Sequence, residues 1–180
     1  KSIGTKFSYG TNAKCDYEEK GFPVLRIPNV LSGKLDLSDL KYSELPEKEI
    51  EQLRLHKCDV IFVRTNGNPD YVGRCAVYNL DIDFMFASYL IRARVNREIV
   101  LPLYLNTYLH LPAGRMAMFP FIRTTAGQSN IGMEGLGQIP VPLPPIAQQE
   151  KFTHIVQRYE RLRSQQRESL RQAEGLLESL

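Results

Sequence analysis

Side chains with amide or guanidinium groups are concentrated in two stretches of this sequence, residues 64–74 and residues 115–130. Arginine can pair with O6 and N7 of guanine in the major groove of duplex DNA, and asparagine or glutamine can pair with N6 and N7 of adenine. Loops that carry such groups on a rigid scaffold are therefore suited to reading bases. The candidate DNA-binding residues are Arg64, Thr65, Asn66, Asn68, Tyr71, Arg74, Arg115, Arg123, Gln128 and Asn130.

Each of these candidates also has a purely structural interpretation. Asparagine is a common turn former, and an arginine at the surface is often a solvated charge. In this alternative, Gly127 and Gln128 brace the segment that follows them against the domain. The set as a whole is therefore a stronger prediction than any single member.

The tetrapeptide Asn68-Pro69-Asp70-Tyr71 is the strongest candidate for catalytic chemistry. Amino-methyltransferases hold a flipped base with an Asn/Asp-Pro-Pro-Tyr/Phe loop, but the third position here is aspartate. No Gly-x-Gly precedes this loop to bind a methyl donor, and the sequence has neither a P-loop nor a Gly-x-Ser-x-Gly motif. We therefore predict that the four residues form a loop, and that this chain has no catalytic residues and no cofactor of its own.

The cysteines and histidines do not have the spacing of a metal site. Cys15, Cys58 and Cys75 are far apart without a Cys-x-x-Cys pair, and the three histidines are equally scattered. We expect no bound metal, and we expect reduced thiols in a cytoplasmic protein. No apolar run reaches the ~18 residues that a transmembrane helix needs, so we expect no membrane association. The net charge of +3 permits nucleic-acid binding without requiring it.

The elements that must position the candidate loops begin with apolar runs typical of strands. Asp59–Arg64 is a continuous apolar run closed by a turn signal, which predicts a fully buried strand, and Arg74–Tyr78 is the expected returning strand. We expect Phe22–Pro28 at a sheet edge, because its two prolines cannot donate to a ladder. Ala87–Val95 alternates arginine with apolar residues, which predicts a strand with one buried face.

Two helices are expected in the same region. Glu44–Leu53 has a proline near its start and acidic residues in its first turn, which suit a helix N-terminus. Glu98–Leu111 has helical apolar spacing, and we expect Asn96 to cap it. Strands mixed with helices, without an internal repeat, predict an α+β fold for residues 1–138.

A long helix is expected after the prolines of residues 139–146, which we interpret as a linker. Residues 147–180 lack proline, and a 4-3-4-3 apolar spacing predicts a coiled-coil seam. At ~1.5 Å per residue the helix would reach roughly 50 Å, which exceeds the diameter of the domain before it. The alternative is a last core helix. The candidate dimerisation residues are Phe152, Ile155, Tyr159, Leu162, Gln166, Ala173, Leu176 and Leu180.

Two blocks of the sequence together resemble one known family. Gly21–Val30 with Cys58–Arg64 resembles the N-terminal half of a target recognition domain. Residues 127–131 with residues 139–149 resemble the exit of such a domain into a long helix, and Pro144-Pro145 followed by Gln149 is the most specific part. The family is the DNA specificity (S) subunit of type I restriction–modification systems.

The resemblance implies a non-catalytic subunit that reads one half of a bipartite target in the major groove of double-stranded DNA. Methyltransferase (M) and restriction (R) subunits are the implied partners, and S-adenosylmethionine is expected in the methyltransferase subunit. Such subunits carry two recognition domains separated by long helices, whereas this sequence has one of each. It therefore resembles half a subunit that would restore the pair as a homodimer through an antiparallel coiled coil.

Two other functions are compatible with the sequence. The first is a homodimeric coiled-coil adaptor whose α+β domain binds protein or RNA. The second is the specificity tail of a single-chain methyltransferase–nuclease. The first would dimerise without binding duplex DNA, and the second would be indicated by methyl-donor binding.

Overall fold

The computed structural model describes residues 5–178, with side chains up to residue 175. In this range, short strands and helices form a mixed α/β domain, and one long helix extends from its C-terminal side. The strands are β1 (Lys6–Tyr9), β2 (Phe22–Leu25), β3 (Lys41–Ser43), β4 (Val60–Val63), β5 (Thr65–Asn66), β6 (Cys75–Val77), β7 (Met85–Phe86), β8 (Leu90–Arg94), β9 (Arg123–Thr125) and β10 (Gln128–Asn130). The helices are α1 (Glu47–Leu53), α2 (Pro102–His110), α3 (Pro112–Met118), α4 (Met133–Gln138) and α5 (Ile146–Glu178).

The centre of the domain is a four-stranded antiparallel sheet in the order β1-β8-β4-β6. Successive residues of β4 pack into two different apolar clusters. Ile61 and Val63 face the cluster that contains β2 and β7, whereas Val60 and Phe62 face the cluster formed with α2, α3 and α4. A strand covered on both faces needs apolar residues at every position. The predicted buried strand is therefore confirmed.

The prediction for β8 was wrong about its exposure. This strand lies between β1 and β4, and its first four residues are buried. The Arg92 guanidinium lies over the Phe86 ring at 5.4 Å from the ring centre, and it donates to the carbonyl of Arg54 at 3.0 Å. The buried carboxylate of Asp59 binds Arg94 at 2.9 Å. Partners from other elements therefore allow arginine on a covered face.

The expectation of a sheet edge for β2 was also wrong. β2 is the middle strand of a second sheet in the order β3-β2-β7. Its proline is tolerated because β7 pairs only with Val24 and Leu25, so Pro23 has a neighbouring strand on one side only. On the β7 side no strand lies opposite Pro23, so the missing N–H of this proline breaks no ladder hydrogen bond there. The second proline of the run, Pro28, lies in the 3-10 turn Ile27–Val30.

The helix that we expected from Glu98 begins later, at Pro102. Proline is favoured at the first helical position because its fixed φ suits the helix and its missing donor is not needed there. Asn96 forms a local turn instead, in which its side chain accepts a hydrogen bond from the Glu98 N–H at 3.0 Å. The expected helix near residue 50 is present as α1.

Helix α5 begins at Ile146, directly after the proline segment (residues 139–145). The Pro145 carbonyl accepts the first helical hydrogen bonds, from the N–H groups of Gln148 and Gln149. Beyond Glu160, every described side chain of α5 is exposed. The helix thus extends away from the domain that carries it. No described helix is both long enough and apolar enough to span a membrane.

Candidate nucleic-acid interface

The two polar stretches of the sequence meet in a third small sheet, in the order β5-β10-β9. The chain leaves the buried strand β4 at Arg64 and enters β5 at once, so the core strand holds β5 in place. β9 and β10 form a hairpin, and β10 pairs with β5 in an antiparallel register. Residues far apart in sequence are thereby fixed side by side.

The register places five polar side chains on one face of this sheet. Asn130 lies opposite both Thr65 and Arg123, and Gln128 lies opposite Thr125. Opposed residues of an antiparallel pair project to the same face, as do residues two apart in one strand. We call this set the polar face; it consists of Thr65, Arg123, Thr125, Gln128 and Asn130.

The polar face is open to solvent at its hairpin. Arg123, Thr125 and Gln128 are exposed, whereas Thr65 and Asn130 are half-buried. The opposite face carries Ser129, which is fully buried, with its hydroxyl 2.8 Å from that of Thr124. One face therefore anchors the hairpin and the other is free to meet a ligand. Four of the ten sequence candidates lie on the polar face, and Thr125 was missed.

The hairpin turn is a two-residue turn made by Ala126 and Gly127. Both residues have a positive φ, 48° and 78°. This conformation matches the right-handed twist of the flanking strands and is typical of type I′ hairpin turns. Residues 123–128 are all exposed. The major groove accommodates a two-stranded β-ribbon, and this hairpin has the corresponding shape.

The loop that follows β5 is ordered by its own asparagines. The Asn66 side chain accepts a hydrogen bond from the Asn68 N–H, and the Asn68 side chain accepts one from the Asp70 N–H, each at 2.9 Å. The second bond caps the 3-10 turn Pro69–Tyr71. The interpretation of this tetrapeptide as a loop is therefore confirmed. Asn68 acts here through its side-chain oxygen as a turn former.

Two candidate arginines support this loop from behind. Arg115 of α3 donates to the carbonyls of Val72 at 2.9 Å and Asp70 at 3.1 Å. Arg74 donates to the same Asp70 carbonyl at 3.0 Å, and its guanidinium lies 4.8 Å from the centre of the Tyr71 ring. Burial lowers the pKa of Arg115, and the charge of Arg74 lowers it further. The structure thus gives both guanidinium groups a bracing role, and their contact with DNA stays a prediction.

Arg64 lies at the junction of the central sheet and the polar face. It donates to the Ser88 carbonyl at 3.2 Å, and its guanidinium lies 4.7 Å from the centre of the Tyr9 ring. Tyr89 lies nearby, because its carbonyl accepts a hydrogen bond from the Arg64 N–H. Tyr89 is 60% exposed. Sequence reasoning missed both tyrosines, because neither lies in a polar stretch.

The charge in this region is more basic than that of the whole chain. Residues 64–74 and 115–130 contain four arginines and a single carboxylate, Asp70. Arg123 pairs with Asn130 through the backbone. Its side chain makes no hydrogen bond to another described residue, so the five guanidinium donors are available. Among the described residues no cluster of three or more His, Cys, Asp or Glu side chains could hold a metal ion.

The candidate dimerisation residues divide into two groups. Phe152 packs edge-on against Tyr104 of its own domain, with 5.5 Å between ring centres. The next seam residues are free of the domain: Ile155 is 68% exposed, Tyr159 61% and Leu162 51%. Gln166 and Ala173 are also exposed, whereas the Leu176 side chain and all of Leu180 lie outside the described part of the chain.

Residues 3–172 match the family model described as type I restriction modification DNA specificity domain. The chain therefore belongs to this family. It is 32% identical over 163 residues to the type I restriction enzyme EcoKI specificity subunit of Escherichia coli K12. The matched region covers 89% of this chain and 34% of that protein. It is 28% identical to the putative type I restriction enzyme MjaX specificity subunit of Methanocaldococcus jannaschii, over 85% of this chain and 36% of that protein.

Solved structures show the same fold. One is a chain from a structure concerned with complex assembly and conformational transition of the type I R-M system. The match has a TM-score of 0.65 and 15% sequence identity, and it covers 89% of this chain and 37% of that one. Another is the HsdS subunit from Thermoanaerobacter tengcongensis, with a TM-score of 0.59 and 18% identity over 88% and 36% of the two chains. The chain thus spans about a third of the length of the proteins it matches.

Proposed function

We propose that this chain is a DNA-recognition unit of a type I restriction–modification complex and reads one half of a bipartite target. The observation that supports this most directly is the polar face, on which guanidinium, amide and hydroxyl groups share one exposed side of a hairpin. Such groups distinguish base pairs in the major groove. Family membership supplies the biological setting.

The proposal divides the chain into three parts, and the long helix that extends from the domain supports this division. Residues 1–138 form the target recognition domain, residues 139–146 connect it, and the long helix from residue 147 onwards is the spacer and dimerisation element. The exposed Ile155, Tyr159 and Leu162 favour an antiparallel coiled coil with a second such helix, because heptad positions are stable when they are covered. Two recognition domains would then lie at opposite ends, related by a two-fold axis.

Catalysis is assigned to the partners in this proposal. Methyltransferase subunits, carrying S-adenosylmethionine, and restriction subunits would dock on the complex, which would act in the cytoplasm. The chain itself is proposed to be non-catalytic, because the side chain of Asn68 already caps its own turn. Saturable binding of the methyl donor to the isolated chain, lost in Asn68→Ala, would contradict this assignment.

Selection from a randomised duplex DNA library tests the proposal. The chain is mixed with its cognate methyltransferase subunits, and bound DNA is sequenced over several rounds. We expect two identical half-sites in inverted orientation, separated by bases that are not read. Absence of any enriched sequence would contradict DNA recognition. An asymmetric target would show that a second, different recognition domain completes the complex.

A further inference from the structure

The first turn of α5 is joined to the domain through one buried amide. The Gln149 side chain is 0% exposed. Its Oε1 accepts a hydrogen bond from the Leu101 N–H at 2.9 Å, and its Nε2 donates to the carbonyls of Ile99 and Pro144, both also at 2.9 Å. Leu101 immediately precedes α2, and Pro144 belongs to the proline segment. One side chain therefore connects α5, the entry to α2 and the proline segment.

Aromatic residues of α2 fasten the rest of the proline segment. The Tyr104 hydroxyl donates to the Pro142 carbonyl at 2.9 Å, and the Tyr108 hydroxyl donates to the Pro140 carbonyl at 3.3 Å. Val141 and Leu143 of the same segment pack against the cluster that covers the helical side of the central sheet. The proline segment is thus held along α2 and is not a free linker.

Beyond its first two turns, where Phe152 packs on Tyr104, α5 has an exposed contact with the domain. Lys34 forms an ion pair with Glu160 at 2.8 Å, and the two side chains are 70% and 38% exposed. Exposed ion pairs contribute little to stability, and their contribution weakens further in salt. The direction of α5 therefore depends mainly on the buried contacts at its first two turns, of which Gln149 is the centre.

We propose that Gln149 is a positioning residue that fixes the direction in which α5 leaves the domain, and thereby the spacing between the two half-sites of the target. The inference rests on the proposed function. The 33 residues of α5 span about 50 Å at ~1.5 Å per residue. A tilt of ~10° at the base would move the far end by roughly 9 Å, which is the rise of about two to three base pairs. Helix length alone cannot set the spacing unless the direction is held.

The amide group, and not only the volume, is needed for this role. An apolar side chain of similar size would leave the Leu101 N–H and the carbonyls of Ile99 and Pro144 without partners in a buried site. These groups could regain partners only if water entered or the three segments moved apart. Gln149→Leu should therefore loosen the joint. Gln148→Leu is the matched control, because Gln148 lies on the same turn with an exposed side chain.

The DNA readout uses the half-sites selected by the unmodified complex, placed at graded separations in one duplex library. With the methyltransferase subunits present, we expect the unmodified chain and Gln148→Leu to enrich one separation. Gln149→Leu should enrich the same half-site sequences at separations spread by about two to three base pairs. A folded Gln149→Leu variant that keeps the single separation would overturn the inference.

A distance measurement on the full chain provides a readout that does not need DNA. Spin labels are attached to cysteines introduced by Glu18→Cys and Arg167→Cys, after serine replaces the half-exposed Cys15 and Cys58, and labelled chain is diluted with unlabelled chain. We expect one narrow distance distribution for the parent and for Gln148→Leu, and a wider one for Gln149→Leu. An unchanged distribution would overturn the role of Gln149.

The remaining outcomes are also decisive. If Gln149→Leu does not fold, Tyr104→Phe removes one hydrogen bond from the same joint and should give a smaller change in both readouts; no change in either would overturn the inference. A wider distance distribution with an unchanged separation would overturn the link to DNA spacing. If the unmodified complex enriches no DNA, the proposed function fails, and the distance distributions alone decide whether Gln149 fixes the helix direction.

Discussion

Thr65 donates a hydrogen bond from its hydroxyl to the Ser129 carbonyl at 3.2 Å, across 64 residues of sequence. This contact joins β5, which directly follows the buried strand β4, to the β9–β10 hairpin. The polar face is therefore held next to a fully buried strand, although Arg123, Thr125 and Gln128 on that face are exposed. Recognition that depends on fixed donor and acceptor positions requires such support.

Loss of the Arg115 side chain should reduce stability much more than loss of the Arg123 side chain. Arg115→Ala removes hydrogen bonds to the Val72 and Asp70 carbonyls, and we expect a loss of about 1–3 kcal/mol in the free energy of unfolding. Arg123→Ala removes an exposed side chain and should change it by less than about 0.5 kcal/mol. Urea unfolding followed by circular dichroism measures both values. Similar losses for the two variants would contradict the bracing role of Arg115.

Two glycines allow the hairpin turn to be tested with steric effects excluded. A Cβ added at Gly127 or at Gly67 would meet no atom within 4 Å, but Gly127 alone has a left-handed φ, of 78°. Gly127→Ala should therefore cost about 1–2 kcal/mol from backbone strain, whereas Gly67→Ala should be neutral or slightly stabilising. Thermal unfolding of the two variants measures the difference. Equal melting temperatures would argue against the turn as described.

His110 should make stability depend on pH. Burial lowers the pKa of His110, and the charges of Arg74 and Arg115 also lower it. The hydrogen bond to the Asn106 carbonyl raises this pKa, but the net shift is downward. The unfolded chain takes up a proton near pH ~6.5, before the folded chain does. Stability is therefore full above that pH and falls as the pH decreases towards the folded-state pKa.

The measurement for His110 is the urea midpoint of the parent chain and of His110→Gln at several pH values between about 5 and 8. The parent should lose more stability than His110→Gln as the pH falls through this range, because glutamine does not titrate. Parallel profiles would show that His110 is protonated equally easily in both states.

Association through α5 should depend on the exposed seam. Leu162→Asp places a charge at a position that a second helix would cover, so we expect a weaker dimer and an unchanged domain. Gln165→Asp is the control, because Gln165 is exposed on the same helix but lies off the seam. Sedimentation at tens of micromolar compares the three chains. A monomeric parent chain would rule out the homodimer.

Much of the fold could be predicted because local patterns determine it. The apolar run of β4, the acidic first turn of α1 and the prolines before α5 each specify an element without reference to the rest of the chain. The errors arose where a distant partner changes what a residue tolerates. Arg92 is buried because Phe86 and the Arg54 carbonyl accommodate it, and no local pattern shows either contact.

The candidate site was predictable in composition but not in geometry. Arg74, Arg115 and Arg123 look alike in sequence, yet the first two bind loop carbonyls and the third is free among the described residues. The difference depends on how α3 packs on the loop. In the same way, Thr125 joins the polar face only because of the register between β9 and β10.

The most direct test of base reading by the polar face compares the DNA selected by the parent complex with that selected by single variants. Arg123→Ala and Gln128→Ala are examined with the methyltransferase subunits present, and Lys57→Ala, which removes an exposed charge elsewhere, is the control. We expect each face variant to lose discrimination at one position of each half-site, at a cost of about 1–3 kcal/mol, with other positions unchanged. The control should select the parent sequence. If Arg123→Ala and Gln128→Ala also select the parent sequence with full discrimination, the polar face does not read the DNA.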